Sequence, residues 1–322
     1  MLPFKLIYSE GYYLPIGEHV FPAEKYRLIH EHLLGNDLAA SEDILTPEPA
    51  RDADVLLVHT PAWVTKLRSG TISSREELVM EVPYSPELVR AFWLAAGGSI
   101  LAAQCALRDR AGINLGGGFH HAFADHGEGF CVINDIAVAI RKLQHQGAIA
   151  RAMTVDCDVH QGNGTAAIFA AKNGTRPWTV GGMGAREFAD CAADVFTISL
   201  HQENNYPAFK PPSTIDVNFA DGVGDGEYLA QLERALSAAL QRFDPQLLCY
   251  VAGADPYRED QLGGLSLTIE GLKKRDELVF RAAKARGIPV MVTLAGGYAR
   301  QVEDTVTIHC NTVIAAREVY SS

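Results

Sequence analysis

TVDCDVHQGNGT, residues 154–165, decides the reading of this chain. It opens as an apolar run suited to a buried strand. It then places Asp156, Asp158 and His160 at every second position. In an extended strand, residues two apart share a face. The spacing therefore predicts two carboxylates and an imidazole projecting together from a strand's carboxyl end. Gathering such groups costs desolvation and repulsion unless a cation sits among them. Gly162, Asn163 and Gly164 predict a tight turn, and the alanine-rich stretch beyond them a helix. Turn residues rarely recur at strand period, which weighs against reading these three as mere turn formers. The first expectation is a metal site at the top of a parallel sheet.

Working outward, short apolar runs alternate with helical patterns. Residues 55–59, 153–157, 196–200, 247–253 and 290–296 are expected to be buried strands, and continuous apolar strands suit a parallel sheet covered on both faces. Helices are expected over 85–103, 133–146, 226–243, 269–286 and 301–316. The fourth starts after Thr268 with Glu270 close behind, and stops at Gly287 before Pro289. The repeated strand–helix order predicts an α/β fold with a doubly wound sheet. No Ser/Gly linker, repeat or low-complexity stretch interrupts it, so one domain over 1–322 is expected. A proline-rich loop at 201–216 follows a strand and suits a pocket wall.

Composition narrows the function classes. The chain has 322 residues, 48% of them hydrophobic and 21% charged, with 28 Lys and Arg against 39 Asp and Glu for a net charge of −11. An acidic balance argues against nucleic acid and favours cationic substrates. Cys105, Cys131, Cys157, Cys191, Cys249 and Cys310 form no C-x-x-C pair and read as reduced thiols of a cytoplasmic protein. The N-terminus lacks a signal-peptide pattern, and no apolar run is expected to reach the ~18 residues that span a bilayer, so no membrane partner is expected.

Candidate chemistry lies beyond the predicted strands. Asp158 and His160 are two metal ligands; Asp255, in the GADP that follows the 247–253 run, is a third. Two carboxylates and one imidazole leave coordination open, as catalytic zinc sites do. Asp255 before Pro256 also suits a simple turn. Asp156, one step deeper, should orient neighbours rather than bind the metal. His120 and His121 follow LGGGF; adjacent residues cannot share one strand face, so they are expected to have separate tasks, unless they are only a solvated loop pair. Tyr298 follows AGG, where its hydroxyl could donate to an oxyanion or its ring could simply pack at a helix start. A two-metal hydrolase would need further carboxylates on these loops, but Gly162 and Tyr257 stand two residues past His160 and Asp255. One catalytic metal is expected.

Four segments, LGGGFHHAFADHGEGFCVINDIAVAI, TVDCDVHQGNGT, GADP and AGGY, resemble in order the motifs of zinc-dependent histone deacetylases. HQGNGT and LGGLSLTIEGLKKRDELVF are most similar to the class IV branch and its bacterial relatives. The resemblance implies a single-domain arginase/deacetylase-like fold, with a central, mostly parallel sheet flanked by helices. It implies that Asp158, His160 and Asp255 hold zinc, with iron(II) also suited to such ligands. It implies that His120 pairs with Asp156, that His121 pairs with Asn163, and that Tyr298 polarises the amide carbonyl. Gly129 and Phe130 match the acyl-lysine tunnel wall, and Tyr206 is expected to face them. Asp156, Asp158, His160, Ser199 and Leu200 match a structural potassium site. Two features depart from the family pattern. Asn163 stands where many members carry an aspartate, and no rim aspartate that grips the substrate backbone is matched.

The function implied is a zinc-dependent amidohydrolase removing acetyl or longer acyl groups from lysine side chains of proteins or peptides. Two alternatives stay open at this point. One is a deacetylase of acetylpolyamines or other small cationic amides. The other is a non-catalytic acyl-lysine binding protein.

Overall fold

The computed structural model describes residues 1–173 and 194–321. Eight strands form one sheet: β1 (Lys5–Ile7), β2 (Ile44–Leu45), β3 (Ala111–Asn114), β4 (Ala152–Asp156), β5 (Val195–Gln202), β6 (Ile215–Phe219), β7 (Leu247–Val251) and β8 (Val290–Thr293). Their order is β2-β1-β3-β8-β7-β4-β5-β6, and every pair is parallel. The sheet is thus wholly, not mostly, parallel. Its central strands are buried along their whole length, whereas the edges are the two-residue β2 and the half-buried β6. Short or half-polar edge strands limit stray pairing.

Four of the five expected strands are present; the fifth is not. Residues 55–59 end a short helix, Asp52–Val55, and continue in turns, with Leu56 exposed. A short apolar run does not by itself distinguish strand from helix end. Strands β1, β2, β3 and β6 escaped the sequence reading. The predicted 201–216 loop is shorter, because β5 runs to Gln202 and β6 begins at Ile215.

All five expected helices form, as Pro86–Asp109, Asp135–His145, Asp225–Arg242, Ile269–Ala285 and Val302–Tyr320. Thr268 caps its helix as expected, its hydroxyl accepting from Gly271 N–H at 2.9 Å. Helices Lys25–Gly35, Pro61–Ser69 and Ser74–Met80 were not anticipated. The Gly162–Gly164 stretch opens the helix Asn163–Asn173 directly. One membrane expectation needs correcting. Pro86–Asp109 is by length and composition long and apolar enough to cross a bilayer, but 72% of its apolar window is buried in the fold. A mostly buried core helix passes the same test of length and composition. The five described cysteines are free and buried, while Cys191 lies outside the described residues.

Candidate active site

Four neighbouring strands deliver the candidate residues. In sheet order β3, β8, β7 and β4 stand side by side. At its carboxyl end β3 leads to His120 and His121, β8 to Tyr298, β7 to Asp255 and β4 to Asp158 and His160. Parallel α/β folds bind ligands at this end of the sheet.

Strand period does not bring Asp158 and His160 together, because β4 stops at Asp156. Side-chain acceptors do so instead. Asp156 Oδ1 accepts from Asp158 N–H at 3.1 Å, and Asp158 Oδ1 accepts from His160 N–H at 3.0 Å. Each aspartate closes a turn onto the residue two ahead. The step of two therefore survives after the strand has ended. Asp255 Oδ1 accepts from Val159 N–H at 2.8 Å and Asp158 Oδ2 from Gly296 N–H at 3.0 Å, which joins three loops.

Asp158, His160 and Asp255 are buried, with one ligand atom from each lying within 4.8 Å of the others. His160 Nδ1 stands 3.1 Å from Asp158 Oδ1 and 3.3 Å from Asp255 Oδ2. Asp255 Oδ2 nevertheless receives no hydrogen bond. Burial, then the Asp158 carboxylate, push the Asp255 carboxyl up to about 8. Burial opposes a charged His160, but the two carboxylates outweigh it and raise the ring to about 10. Crowded negative charge and an unpartnered buried oxygen are what a bound cation would relieve. The three residues therefore fit a metal ion. Among the described residues they are the one such group of His, Cys, Asp and Glu.

Beneath them Arg275, fully buried, donates from Nη1 to Gly253 O at 2.6 Å and Cys157 O at 3.3 Å. These carbonyls immediately precede the Asp255 and Asp158 loops. Its Nε donates to Asp276 Oδ1 at 2.9 Å.

The two histidines converge, contrary to the expectation from adjacency. Their Nε2 atoms are 3.1 Å apart, since the loop carrying them is not a strand. Their outer partners differ, as the resemblance implied: His120 Nδ1 lies 2.7 Å from Asp156 Oδ2, and His121 Nδ1 lies 2.7 Å from Asn163 Oδ1. Burial disfavours charge on both rings. At His120 the Asp156 and Asp158 carboxylates overcome it and raise the ring to about 9. At His121 burial is joined by His120 and His160, and the ring is held well below its ordinary value. Gly118, at φ +86°, lets this loop meet the Tyr298 loop; a Cβ there would stand 2.6 Å from Ala295 Cα.

Tyr298 is buried, and its backbone N–H donates to Asp260 Oδ2 at 2.7 Å. Its ring centroid is 6.4 Å from that of His160. Burial, then Asp158 and Asp255, raise the phenol, so it stays a donor. Phe130 faces Tyr298 at 6.1 Å between ring centroids, with Phe21 6.0 Å from Tyr298 and 6.3 Å from Phe130. Gly129 takes φ +50°, and a Cβ there would stand 2.8 Å from the Tyr206 ring. The Tyr206 ring lies 4.9 Å from that of His121. Ser199 on β5 is in register with Asp156 on β4, and Leu200 follows it.

Sequence reasoning missed Phe21, Lys25, Asp260 and Glu128. Lys25 donates to Ala295 O at 2.6 Å, and Glu128 accepts from Asn163 and Tyr206. Only Glu128 left a usable signal, an acidic residue inside the GEGF segment.

Comparison with known proteins identifies the family. Residues 19–313 match the histone deacetylase domain. An uncharacterized protein of Picosynechococcus is 37% identical over 98% of this chain and 99% of its own length. Histone deacetylase 2 of Arabidopsis thaliana is 31% identical over 94% of this chain and 77% of its own. The crystal structure of a histone deacetylase homologue from Aquifex aeolicus superposes with a TM-score of 0.76 over 99% of this chain and 88% of that one, at 23% identity, a likeness of fold. The chain belongs to the histone deacetylase family.

Proposed function

We propose that this protein removes acyl groups from lysine side chains by metal-assisted hydrolysis. One observation carries the reading: Asp158 of the Asp158–His160–Asp255 triangle lines one cleft together with the His120–His121 couple and Tyr298. A divalent cation held by the triangle would polarise an acyl carbonyl and acidify a water. His121, neutral and facing His120 through Nε2, takes the proton from the attacking water and returns it to the departing amine. His120, charged beside Asp156, stabilises the negative charge that develops. Tyr298 donates its hydroxyl to the carbonyl oxygen as that atom becomes an oxyanion. The C–N bond then breaks, leaving a carboxylate and a free amine. Phe21, Phe130 and Tyr206 give aromatic walls to the approach, which suits a methylene chain.

Zinc as the metal, and a structural potassium ion beside Asp156, Ser199 and Leu200, are parts of the same proposal that elemental analysis of the purified protein tests. The substrate is tested by a panel of acetyl-lysine peptides, longer acyl-lysine peptides and acetylpolyamines offered to metal-reconstituted protein. Acyl-lysine turnover that stops with chelator is the expected result. Preferred turnover of acetylpolyamines would move the substrate to small cationic amides.

A further inference from the structure

The turn that carries Phe130 also carries a carboxylate which the mechanism above leaves unused. Glu128 and Cys131 exchange two backbone hydrogen bonds, each 2.9 Å, around Gly129 at φ +50° and Phe130 at φ +65°. Positive φ at both central residues is the tight hairpin turn that holds its two ends in fixed register. Glu128 is therefore held in place beside the lining residues Gly129 and Phe130 of the cleft. Its Oε1 accepts from Asn163 Nδ2 at 2.6 Å and from Tyr206 Oη at 2.8 Å. Its Oε2 lies 3.6 Å from His126 Nε2. Burial alone would raise this carboxyl, but the nearby His126 ring and the hydrogen bonds from Tyr206 and Asn163 outweigh it, so Glu128 stays ionised.

An ionised carboxylate only accepts. The end of the Asn163 amide that faces Glu128 must then be its NH2, and the end that faces His121 must be its oxygen. That oxygen, 2.7 Å from His121 Nδ1, also only accepts, so His121 Nδ1 must carry the proton. In a neutral imidazole this leaves Nε2 as a lone pair, directed toward His120 and the cleft. Without Glu128 the amide could turn over. Its NH2 would then donate to Nδ1, and the proton would move to Nε2, where it would block proton abstraction. The same arrangement accounts for asparagine at position 163. A full negative charge touches His120 through Asp156, whereas His121 feels its carboxylate through one neutral amide. The neighbouring rings are thus given different protonation without a charge at each.

We propose that Glu128 is a positioning residue for His121: through Asn163 it locks the base in the tautomer with Nδ1 protonated and Nε2 free. Its consequence for turnover rests on the deacylase reading, but the tautomer is observable without substrate. The experiment is two-dimensional NMR of metal-loaded protein labelled with 15N-histidine, read at pH 8 or so, with His121 assigned by its loss in H121Q. Wild type is expected to show His121 protonated at Nδ1. Glu128→Leu should give a mixture of tautomers and about a tenfold loss of kcat, the scale on which partners of metal-site groups act. The double variant Glu128→Leu with Asn163→Asp supplies an acceptor-only group directly, and should restore the Nδ1 proton. A merely structural Glu128 would not be rescued in this way. His121 protonated at Nε2 in wild type, or a single unchanged tautomer in Glu128→Leu, would overturn the inference, and the first of these needs no variant to fold. A tautomer that responds as stated in a protein that hydrolyses no acylated amine would count against the deacylase reading instead.

Discussion

Removing Arg275 tests how the fold holds its candidate metal ligands together. Arg275→Met takes away the fork that joins the Cys157 and Gly253 carbonyls, and with it the partner of Asp276. Asp276 is fully buried and would keep only neutral donors, Tyr250 Oη at 2.5 Å and Thr312 Oγ1 at 2.7 Å. Breaking a buried pair on one side costs about 3–5 kcal/mol. That is a large share of the roughly 5–15 kcal/mol that holds a domain folded. Replacing both charges, with Asp276→Leu added, removes the stranded carboxylate but leaves the Gly253 carbonyl unpaired and the Cys157 carbonyl with only the long bond from Tyr228 Oη at 3.5 Å. The double variant should therefore lose about 1–3 kcal/mol, less than Arg275→Met alone, and the two changes should couple strongly in a double-mutant cycle. Urea unfolding of metal-free protein measures this without the stabilisation that a bound ion adds. Metal affinity should fall by about 10–100-fold in both variants, because the loops bearing Asp158 and Asp255 lose their common tether. A single variant within 1 kcal/mol or so of wild type, or an unaltered metal affinity, would refute the claim that Arg275 tethers the site.

Three further outcomes follow from particular contacts. Phe130→Ala opens the wall opposite Tyr298; kcat/KM should fall and the preference along an acyl series should shift, since loss of positioning is expensive in rate, whereas unchanged kinetics would place the acyl chain elsewhere. Asp156→Asn should harm activity more than Asn163→Ala, because Asp156 both pairs with His120 and closes the turn onto Asp158; losses of ~10–100-fold are expected, and full activity in both metal-loaded variants would dismiss these partnerships. His59 is buried, its Nε2 accepts from Asn134 N–H at 2.9 Å, and burial holds its ring at about 4. The unfolded chain takes up that proton near its ordinary value of about 6.5. The stabilisation is thus fully present above ~6.5 and is lost as pH falls toward about 4, amounting to about 2 kcal/mol by roughly pH 5. His59→Gln, which can still accept from Asn134, should show that much less acid sensitivity in urea unfolding; identical pH dependence in the two proteins would contradict it.

The chain's own pattern revealed the central strands because they are buried on both faces, as the unbroken apolar run LLCYV of β7 shows. It revealed the polar residues at their ends because Asp158, His160 and Asp255 have little reason to follow such runs unless they serve a site. It did not reveal β1 and β2, of three and two residues. Strands so short exist only through their neighbours. Arg275 and Asp276 sit within KKRDE, which reads as a solvated helix face, yet both are fully buried. Glu128 meets Asn163 and Tyr206 across 35 and 78 residues of chain. No local periodicity carries such a contact. The strand spacing of Asp156, Asp158 and His160 pointed to the right cluster by the wrong route, since hydrogen bonds to the backbone, and not the strand, keep them together.

The central claim, that this cleft hydrolyses acyl-lysine, is tested most directly at Tyr298. Tyr298→Phe keeps the ring packed against Phe21 and Phe130 and removes only the hydroxyl donor. A neutral carbonyl gains little from one more donor, whereas the oxyanion gains much. The measurement is single-turnover deacylation of an acetyl-lysine peptide beside direct binding of the same peptide, in wild type and variant at equal metal occupancy. The account predicts a ~10²–10³-fold slower chemical step with binding little changed. Equal rates in the two proteins would remove Tyr298 from the chemistry, and binding by wild type without turnover would contradict catalysis itself and leave a protein that only holds acyl-lysine.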